Sequence, residues 1–238
     1  MGRIIMEKTI CNVIVSPLRR ENSDKSEMIS QMLYGEQVEI MEIKDNFTKI
    51  KMNFDGYEGW CDTKHLTKIS EEKPRNIVTQ SFGVFDLEEG RSLLSIGSEV
   101  TFETENHILE NRSESIVETA KKFLNVPYLW GGRSFFGIDC SGFTQLVYKV
   151  HGISLPRDAY QQAKEGRVLD FVEESEPGDL AFFENREGKI SHVGIMLEDQ
   201  KIIHAYGKVR IDLLDSTGIF NKDLAKHTHK LRFVKRIL

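Results

Sequence analysis

Apolar and polar residues alternate in several short runs along the first 70 residues of the chain. Residues 26–43 alternate on both sides of Gly35, residues 47–52 alternate again, and a turn-rich piece with two glycines follows. A period of two predicts strands with one buried face. The apolar residues of that face are Val38, Ile40, Ile43, Phe47, Ile50 and Met52. The pattern therefore predicts a small all-β barrel over residues 1–70.

Residues 71–111 have a similar strand-like texture over a shorter length. Two apolar runs flank a Glu-Glu-Gly turn, which predicts a further hairpin. The charged stretch 70–76 contains Pro74 and is the predicted linker between the two segments. We expect the second segment to be either a truncated second barrel or a cap.

The periodicity changes to a helical one near residue 112. Ser115 and Glu118 have the spacing of a capping box, and apolar residues then recur at helical intervals until Asn125. A second helix is predicted to begin at or beside Cys140 and to end at Gly152. Several apolar strand patterns follow up to the C-terminus. Helices followed by antiparallel strands predict an α+β domain over residues 112–238.

Composition and charge exclude several classes of protein. The 238 residues carry a net charge of −5, so no bulk electrostatic field favours nucleic acid or an anionic membrane surface. No window approaches the ~20 apolar residues of a membrane span. Glu7, Lys8 and Asn12 interrupt the first apolar run, which argues against a secretory signal. We expect a cytoplasmic protein that binds no nucleic acid and does not span a membrane.

The number and spacing of the three cysteines argue against a disulfide framework and against a zinc site. Their number is odd, and the sequence has no CxxC pair. Cys11 and Cys61 are predicted to be small buried core residues. Cys140 differs from them because it lies between Asp139 and Ser141, after a glycine-rich stretch and at a predicted helix N-terminus. The unpaired N–H groups there favour a thiolate and are expected to lower the thiol pKa.

A base for this thiol is predicted in the hairpin after the second helix. If the hairpin connection is the three residues 198–200, Gly194 lies opposite His204. His192 and His204 then share one face of the sheet as diagonal neighbours. A register shifted by one residue would separate them. In the favoured register the spacing predicts a nucleophile, a base and an orienting group.

The remaining histidines near the C-terminus carry a weaker signal. His227 and His229 alternate on a strand-like stretch, as two metal ligands can. No Cys, Asp or Glu cluster nearby in the sequence completes a metal site. We expect both side chains to lie on the solvated surface, and we expect no metal.

The second half of the chain contains several ordered motifs that together resemble a known family. In order they are PYLWGG…DCSGF, LPRDAYQQ, EPGDLAFF, SHVGIML and IIHAYG. Over residues 112–238 they resemble the NlpC-type, papain-like cysteine peptidases of the bacterial cell wall. The N-terminal region is similar, through LYGE and GYEGW, to the SH3-like domains that accompany the γ-D-glutamyl-L-diamino acid endopeptidases of this family. The resemblance implies a papain-like catalytic domain preceded by SH3-like barrels.

The resemblance also implies roles for the matching residues around the thiol. Cys140 matches the nucleophile, His192 the general base, and His204 the third, polar member of the triad. Tyr128 matches a tyrosine whose hydroxyl lies beside the nucleophile and the reacting carbonyl.

A second set of matches concerns recognition of the substrate. Asp139 and Ser141 match residues that meet the free α-amine of an N-terminal L-Ala, and Arg157 matches an arginine that lines the cleft. The SH3-like domain closes one end of the cleft in this subgroup, and Glu36 and Tyr57 are the best candidates for the acidic residue and the tyrosine that do so. Each has a structural alternative: helix capping for Asp139, no more than a backbone N–H for Ser141, an ion pair for Arg157, and turn chemistry for Glu36 and Tyr57.

The implied reaction is hydrolysis of the bond between γ-D-Glu and a diamino acid, either diaminopimelate or Lys. The implied substrate is a short murein peptide with a free N-terminal L-Ala, which suits the recycling of cell-wall fragments. No cofactor is implied. One alternative is a papain-like amidase or acyltransferase with a different pocket. Another is an inactive module that binds wall peptides, which would lack a member of the triad.

Overall fold

The computed structural model describes residues 8–69, 75–88, 90–102, 109 and 112–238. The predicted linker residues 70–74 and His107 lie outside these ranges. The chain divides into two compact units. The first comprises Met1–Ile108 and Trp130–Phe135, and the second comprises Leu109–Leu129 and Phe136–Leu238. The boundaries drawn from the sequence at residues 70 and 111 stay a prediction.

The described part of the first unit is built from short strands. The strands are β1 (Lys8–Cys11), β2 (Val15–Arg19), β3 (Met28–Leu33), β4 (Gln37–Lys44), β5 (Phe47–Met52), β6 (Glu58–Asp62), β7 (Leu66–Ile69), β8 (Asn76–Ile77), β9 (Phe82–Leu87), β10 (Gly90–Ser95), β11 (Glu99–Val100) and β12 (Arg133–Ser134). A 3-10 turn covers Thr63–His65. Within the described residues, seven strands form one sheet in the order β3-β2-β6-β5-β4-β1-β7. The sheet matches the strand-rich pattern of this part of the sequence.

The core of this sheet contains only part of the predicted apolar face. Val38, Ile50 and Met52 are buried as predicted. Ile40 and Ile43 are exposed, at 39% and 63%, so their predicted burial is wrong. Strand β1 pairs with β4 only as far as Val38, and the rest of β4 runs on beside β5. Among the described residues, no second neighbouring strand therefore covers the apolar side chains in the outer half of β4.

Cys11 and Cys61 are core residues of this unit, which confirms the prediction. Both side chains are almost fully buried in one apolar cluster with Leu18, Met32 and Ile50. Burial raises the pKa of each thiol to about 12. Both are therefore inert packing residues at neutral pH.

The second segment of the first unit forms two small pairs of strands. Strands β9 and β10 make an antiparallel hairpin, and β8 pairs with β11. Val78, Leu94 and Val100 form a small buried cluster between them. The hairpin matches the prediction from the Glu-Glu-Gly turn.

The second unit combines helices with one antiparallel sheet. The helices are α1 (Ser113–Lys121), α2 (Cys140–Lys149) and α3 (Ala159–Gln162), with a 3-10 turn at Val172–Glu174. The strands are β13 (Gly137–Ile138), β14 (Arg167–Val168), β15 (Leu180–Glu184), β16 (Ile190–Met196), β17 (Lys201–Tyr206), β18 (Lys208–Leu214), β19 (Gly218–Asn221) and β20 (Lys226–Arg236). The predicted α+β class is confirmed.

The sheet of this unit closes on itself. Its order is β14-β20-β15-β16-β17-β18-β19 across the described residues, and β19 also pairs with β20. The last strand of the chain therefore lies next to β15 and β19 at once. This closure places residues from the C-terminal strand near the middle of the sheet.

The two long helices pack against each other, and their first residues can be compared with the helix starts predicted from the sequence. Helix α1 begins at Ser113 after Arg112, which makes no side-chain cap, so the predicted capping box at Ser115 is wrong. Ser113 and Glu114 are already helical, so the helix begins two residues earlier than predicted and Ser115 lies inside its first turn. Helix α2 begins at Cys140 as predicted, with Asp139 as its N-cap. The ring of Phe143 on α2 contacts Phe123 edge-on, at 5.5 Å between centroids.

Candidate active site

Cys140 is the first residue of helix α2 and faces strand β16. The Asp139 carboxylate caps the helix by accepting the Gly142 N–H at 2.7 Å. The sulfur is held by backbone hydrogen bonds from Val193 and Ser141. Val193 directly follows His192 on β16. The fold therefore brings the thiol beside the predicted base, although His192 lies 52 positions after Cys140 in the sequence.

The pKa of the Cys140 thiol moves in the direction opposite to the prediction. Burial, followed by the negative charge of Asp139, raises the pKa of this thiol to about 12. Backbone hydrogen bonds and Arg157 lower it, but by less than burial raises it. The N–H groups at the helix N-terminus lower this pKa as expected, but burial outweighs them, so the expected net lowering is wrong for the resting site. The thiol stays protonated at neutral pH and needs a base at the moment of attack.

His192 and His204 lie together as the hairpin register predicts. Gly194 pairs with His204, and the connection is the predicted residues 198–200. A Cβ on Gly194 would lie 2.8 Å from the Cβ of His204, so glycine permits this close approach. His192 Nε2 and His204 Nδ1 are 2.8 Å apart. The predicted register is confirmed, and the hydrogen bond leaves Nδ1 of His192 as the nitrogen that can act on the thiol.

Asp212 on strand β18 extends this hydrogen-bond network, and the sequence analysis did not identify it. Its Oδ2 lies 3.1 Å from His204 Nε2, and the residue is 3% exposed. Arg210 donates to both carboxylate oxygens, at 2.7 and 2.9 Å. A signal for it was present in the sequence. Strands β17 and β18 meet at Gly207 and place Arg210 opposite His204, so Asp212 becomes the diagonal neighbour of His204.

His229 is the second residue of the site that the sequence did not identify. Its ring stacks on His192 with centroids 4.1 Å apart, and burial lowers its pKa to about 4. The prediction that His229 lies on the solvated surface is wrong, because the closing strand β20 carries it into the site. His227 is exposed and hydrogen-bonds to Asp215.

The three imidazoles are also close enough to hold a metal ion. Ring nitrogens of His192, His204 and His229 lie within 4.8 Å of one another. Hydrogen bonds already use these rings: His192 with His204, His204 with Asp212, and His229 with Thr228 at 2.9 Å. We therefore assign the cluster to proton transfer.

Tyr128 lies near the thiol, on the chain segment before β13. It is half-buried, and its backbone N–H donates to the Gly207 carbonyl at 3.0 Å. Burial raises the pKa of its phenol, and the potential negative charge of Cys140 and Asp139 raises it further. Tyr128 therefore remains a protonated donor close to the sulfur.

Asp139, Ser141 and Arg157 form one buried polar cluster beside the nucleophile. Arg157 donates to both Asp139 carboxylate oxygens, at 3.0 and 2.6 Å, and to Ser141 Oγ at 2.9 Å. The structural alternatives weighed for Asp139 and Arg157 both occur, since Asp139 caps α2 and Arg157 makes an ion pair.

Glu36 and Tyr57 belong to the first unit and serve its core. Glu36 is 1% exposed, and its carboxylate accepts two hydrogen bonds from Arg133 and one from the Leu33 N–H, each at 2.8 Å. This geometry is that of a structural ion pair, and the predicted contact of Glu36 with a substrate amine stays a prediction. Tyr57 is half-buried against the apolar core of the sheet. Its predicted role in the cleft stays a prediction.

No helix among the described residues is long and apolar enough to cross a membrane.

Sequence comparison identifies two matching families. The NlpC/P60 family matches residues 125–228, and the bacterial dipeptidyl-peptidase Sh3 domain matches residues 18–66. A Bacillus cereus protein named gamma-D-glutamyl-L-lysine dipeptidyl-peptidase is 31% identical over 230 residues, which cover 77% of this chain and 68% of that relative. A Bacillus subtilis protein of the same name is 44% identical over 117 residues, covering 47% of this chain and 39% of the relative.

Structural comparison gives a similar result for the fold. The crystal structure of an NlpC/P60 family protein from Bacillus cereus superposes with a TM-score of 0.83 at 23% identity, covering 97% of this chain and 99% of that one. The predicted fold, a papain-like α+β unit preceded by an SH3-like all-β region, is confirmed.

Proposed function

This chain belongs to the NlpC/P60 family, and from that premise we propose that it is a cysteine peptidase acting on short murein peptides. The bond cleaved joins γ-D-Glu to a diamino acid, and the substrate carries a free N-terminal L-Ala. The relatives named as gamma-D-glutamyl-L-lysine dipeptidyl-peptidases support this specificity. The observation that carries the proposal is the buried line of Cys140, His192 and His204, with the hydrogen bond between the two imidazoles at 2.8 Å.

The first half of the reaction forms a thioester. Nδ1 of His192 takes the thiol proton as the Cys140 sulfur attacks the γ-carbonyl carbon of D-Glu. The Tyr128 hydroxyl and the Cys140 backbone N–H stabilise the negative oxygen of the tetrahedral intermediate. The intermediate collapses when His192 donates its proton to the amine nitrogen of the diamino acid, which leaves.

The second half restores the thiol. Water loses a proton to Nδ1 of His192 and attacks the thioester carbonyl carbon. The carbon–sulfur bond breaks, L-Ala-D-Glu leaves as a free acid, and the sulfur regains its proton from His192. His204 holds the His192 ring in the orientation that both halves need.

The cluster beside the nucleophile gives a physical reason for selecting a free amine. Asp139 and Ser141 place acceptor oxygens directly next to Cys140, and Arg157 fixes the position of both. A charge-assisted hydrogen bond from an ammonium group to a buried carboxylate is strong. An acetylated N-terminus would lose that charge. The three cysteines have free thiols, which favours a reducing compartment and the cytoplasmic processing of released wall fragments.

The specificity is tested with matched peptides. L-Ala-γ-D-Glu-diaminopimelate and L-Ala-γ-D-Glu-L-Lys are incubated with the protein, each beside its N-acetylated form, and products are separated by chromatography. We expect a free-amine peptide to be cleaved with a kcat/KM about 100-fold above that of its acetylated form. Equal cleavage of both forms would exclude recognition of the amine, and cleavage of neither would exclude the proposed substrate.

The pH dependence of cleavage follows from the state of His192. Burial lowers the pKa of His192 well below 6.5, and the neighbouring His204 and His229 lower it further. The imidazole therefore stays neutral, and able to accept a proton, at pH 6.5 and further down to its own lowered pKa. We expect kcat/KM to fall only as the pH drops through this lowered pKa, in a series of measurements from about pH 4 to pH 8. An acid limb above pH 6.5 would contradict this assignment of the base.

A further inference from the structure

The hydrogen bonds beyond His192 end on a buried anion. His192 bonds His204, His204 bonds Asp212, and Arg210 holds both oxygens of that carboxylate. Burial raises the pKa of Asp212, but hydrogen bonds from His204 and Arg210 outweigh burial and lower it below its ordinary value. Asp212 is therefore ionised at neutral pH. Burial lowers the pKa of His204, so that imidazole is neutral although Asp212 partly opposes the shift.

The ionised carboxylate determines which ring nitrogen of His204 and of His192 carries the proton. A carboxylate only accepts hydrogen bonds, so the proton of neutral His204 must be on Nε2, which faces Asp212. Nδ1 of His204 is then an acceptor, and His192 must donate to it from Nε2. The proton of neutral His192 is thus on Nε2, which leaves the lone pair on Nδ1. That tautomer can take the proton of the Cys140 thiol, and the other tautomer cannot.

We propose that Asp212 is a positioning residue for the reaction, which acts through His204 to keep Nδ1 of His192 unprotonated and directed at the nucleophile. The inference rests on the proposed function only in that Cys140 is the nucleophile and His192 the base. Asp212 itself touches no reacting atom.

Several other polar or aromatic groups surround this hydrogen-bond network. They are Cys140 on α2, His192 on β16, Tyr206 on β17, Arg210 on β18, Asn221 on β19 and His229 on β20, with Asp223 reaching Arg210. Arg210 is the one cation among these that bonds directly to Asp212 in the described residues. Asp223 bonds Arg210 at 2.8 Å and is 74% exposed, so it offers a matched carboxylate that does not bond to His204.

The primary test is Asp212→Asn, with Asp223→Asn as its control. An amide can donate to Nε2 of His204, which allows both imidazoles to adopt the opposite tautomers. We expect kcat to fall roughly 100-fold with little change in KM, since a wrong catalytic tautomer costs up to about 10⁴-fold elsewhere. Asp223→Asn should retain the wild-type rate within about twofold. Equal losses in the two variants would overturn the proposal.

A double-mutant cycle separates positioning from a structural effect. If Asp212 acts through His204, adding Asp212→Asn to His204→Ala should cause no further loss of kcat. A full additional loss in that background would assign Asp212 a purely structural role and overturn the proposal.

The tautomer can also be read directly, without any substrate. Nitrogen-15 NMR of the wild-type protein should show the proton of His192 on Nε2, and Asp212→Asn should move it toward Nδ1. A proton on Nδ1 in the wild type overturns the proposal even if the variant fails to fold. If the tautomers are as expected but no murein peptide is cleaved, the proposed function fails and the positioning role stands.

Discussion

Replacing Cys140 with alanine is expected to reduce cleavage of the murein tripeptide by about 10⁴-fold or more. Loss of a covalent nucleophile in hydrolases of this type costs roughly 10⁴- to 10⁶-fold in kcat. A 10⁴-fold loss corresponds to about 5.4 kcal/mol of transition-state stabilisation. The fold should be unaffected, since alanine fits the space of the thiol and keeps the helix N-terminus intact. The rate is measured from the release of the diamino acid.

Two comparisons make this expectation specific to the proposed chemistry. Cys61→Ala removes another buried thiol, and the folded variant should retain the wild-type rate. His192→Ala should cost nearly as much as Cys140→Ala, and the double variant should lose little more than either, because nucleophile and base act as a unit. Iodoacetamide should alkylate Cys140 before Cys11 or Cys61, because His192 can take the thiol proton of Cys140, whereas the other two thiols lie in an apolar cluster. Cleavage that persists in Cys140→Ala would exclude a thioester mechanism.

The sequence predicts the local parts of this site better than its long-range parts. The α2 start at Cys140 and the pairing of Gly194 with His204 depend on residues close in sequence, where a helix start and a short connection restrict the geometry. Asp212 needed one more step of the same reasoning, across the turn at Gly207. These three features were accessible because each follows from a single hairpin or helix.

The position of His229 in the site could not be predicted in this way. Its strand β20 pairs with β15 and β19, and both pairings contain a one-residue shift of register, near Phe182 and near Ile219. A shift of one residue moves every later side chain to the other face of the sheet. Alternation along β20 therefore does not reveal which face His229 occupies. The pKa of Cys140 was missed for a related reason, because its burial depends on strands far away in sequence.

The ion pair of Glu36 is a feature that neither the sequence pattern nor the resemblance predicts. The position matches an acidic residue of the cleft, yet the described structure gives its carboxylate to Arg133 and to the Leu33 N–H. Arg133 lies nearly 100 residues later in the sequence, at the strand β12 that belongs to the first unit. No local sequence pattern predicts a pairing between residues so far apart in the chain.

Replacing Arg133 with methionine is expected to destabilise the first unit by about 3–5 kcal/mol. Both partners are 1% exposed, so the change leaves an uncompensated buried carboxylate on Glu36. The chain has two tryptophans, Trp60 and Trp130, and both belong to the first unit. Tryptophan fluorescence during urea unfolding of the full chain therefore reports the unit that contains the ion pair.

The matched variants separate the buried charge from other effects of the substitution. Adding Glu36→Gln to Arg133→Met removes the uncompensated charge and should recover part of the lost free energy of unfolding. Asp86→Ala breaks the exposed pair with Arg91, in which both side chains are 80% exposed, and should leave the unfolding midpoint unchanged. If Arg133→Met unfolds at the wild-type urea concentration, the ion pair does not stabilise this unit.

The same variants distinguish the structural role of Glu36 from the role in substrate binding that the resemblance implies. The double variant lacks the carboxylate of Glu36 but is expected to fold under assay conditions. If Glu36 serves the core alone, the preference for a free over an acetylated N-terminus should persist in this variant, because Asp139 and Ser141 remain. A loss of that preference, with kcat retained, would instead show that the Glu36 carboxylate receives the substrate amine.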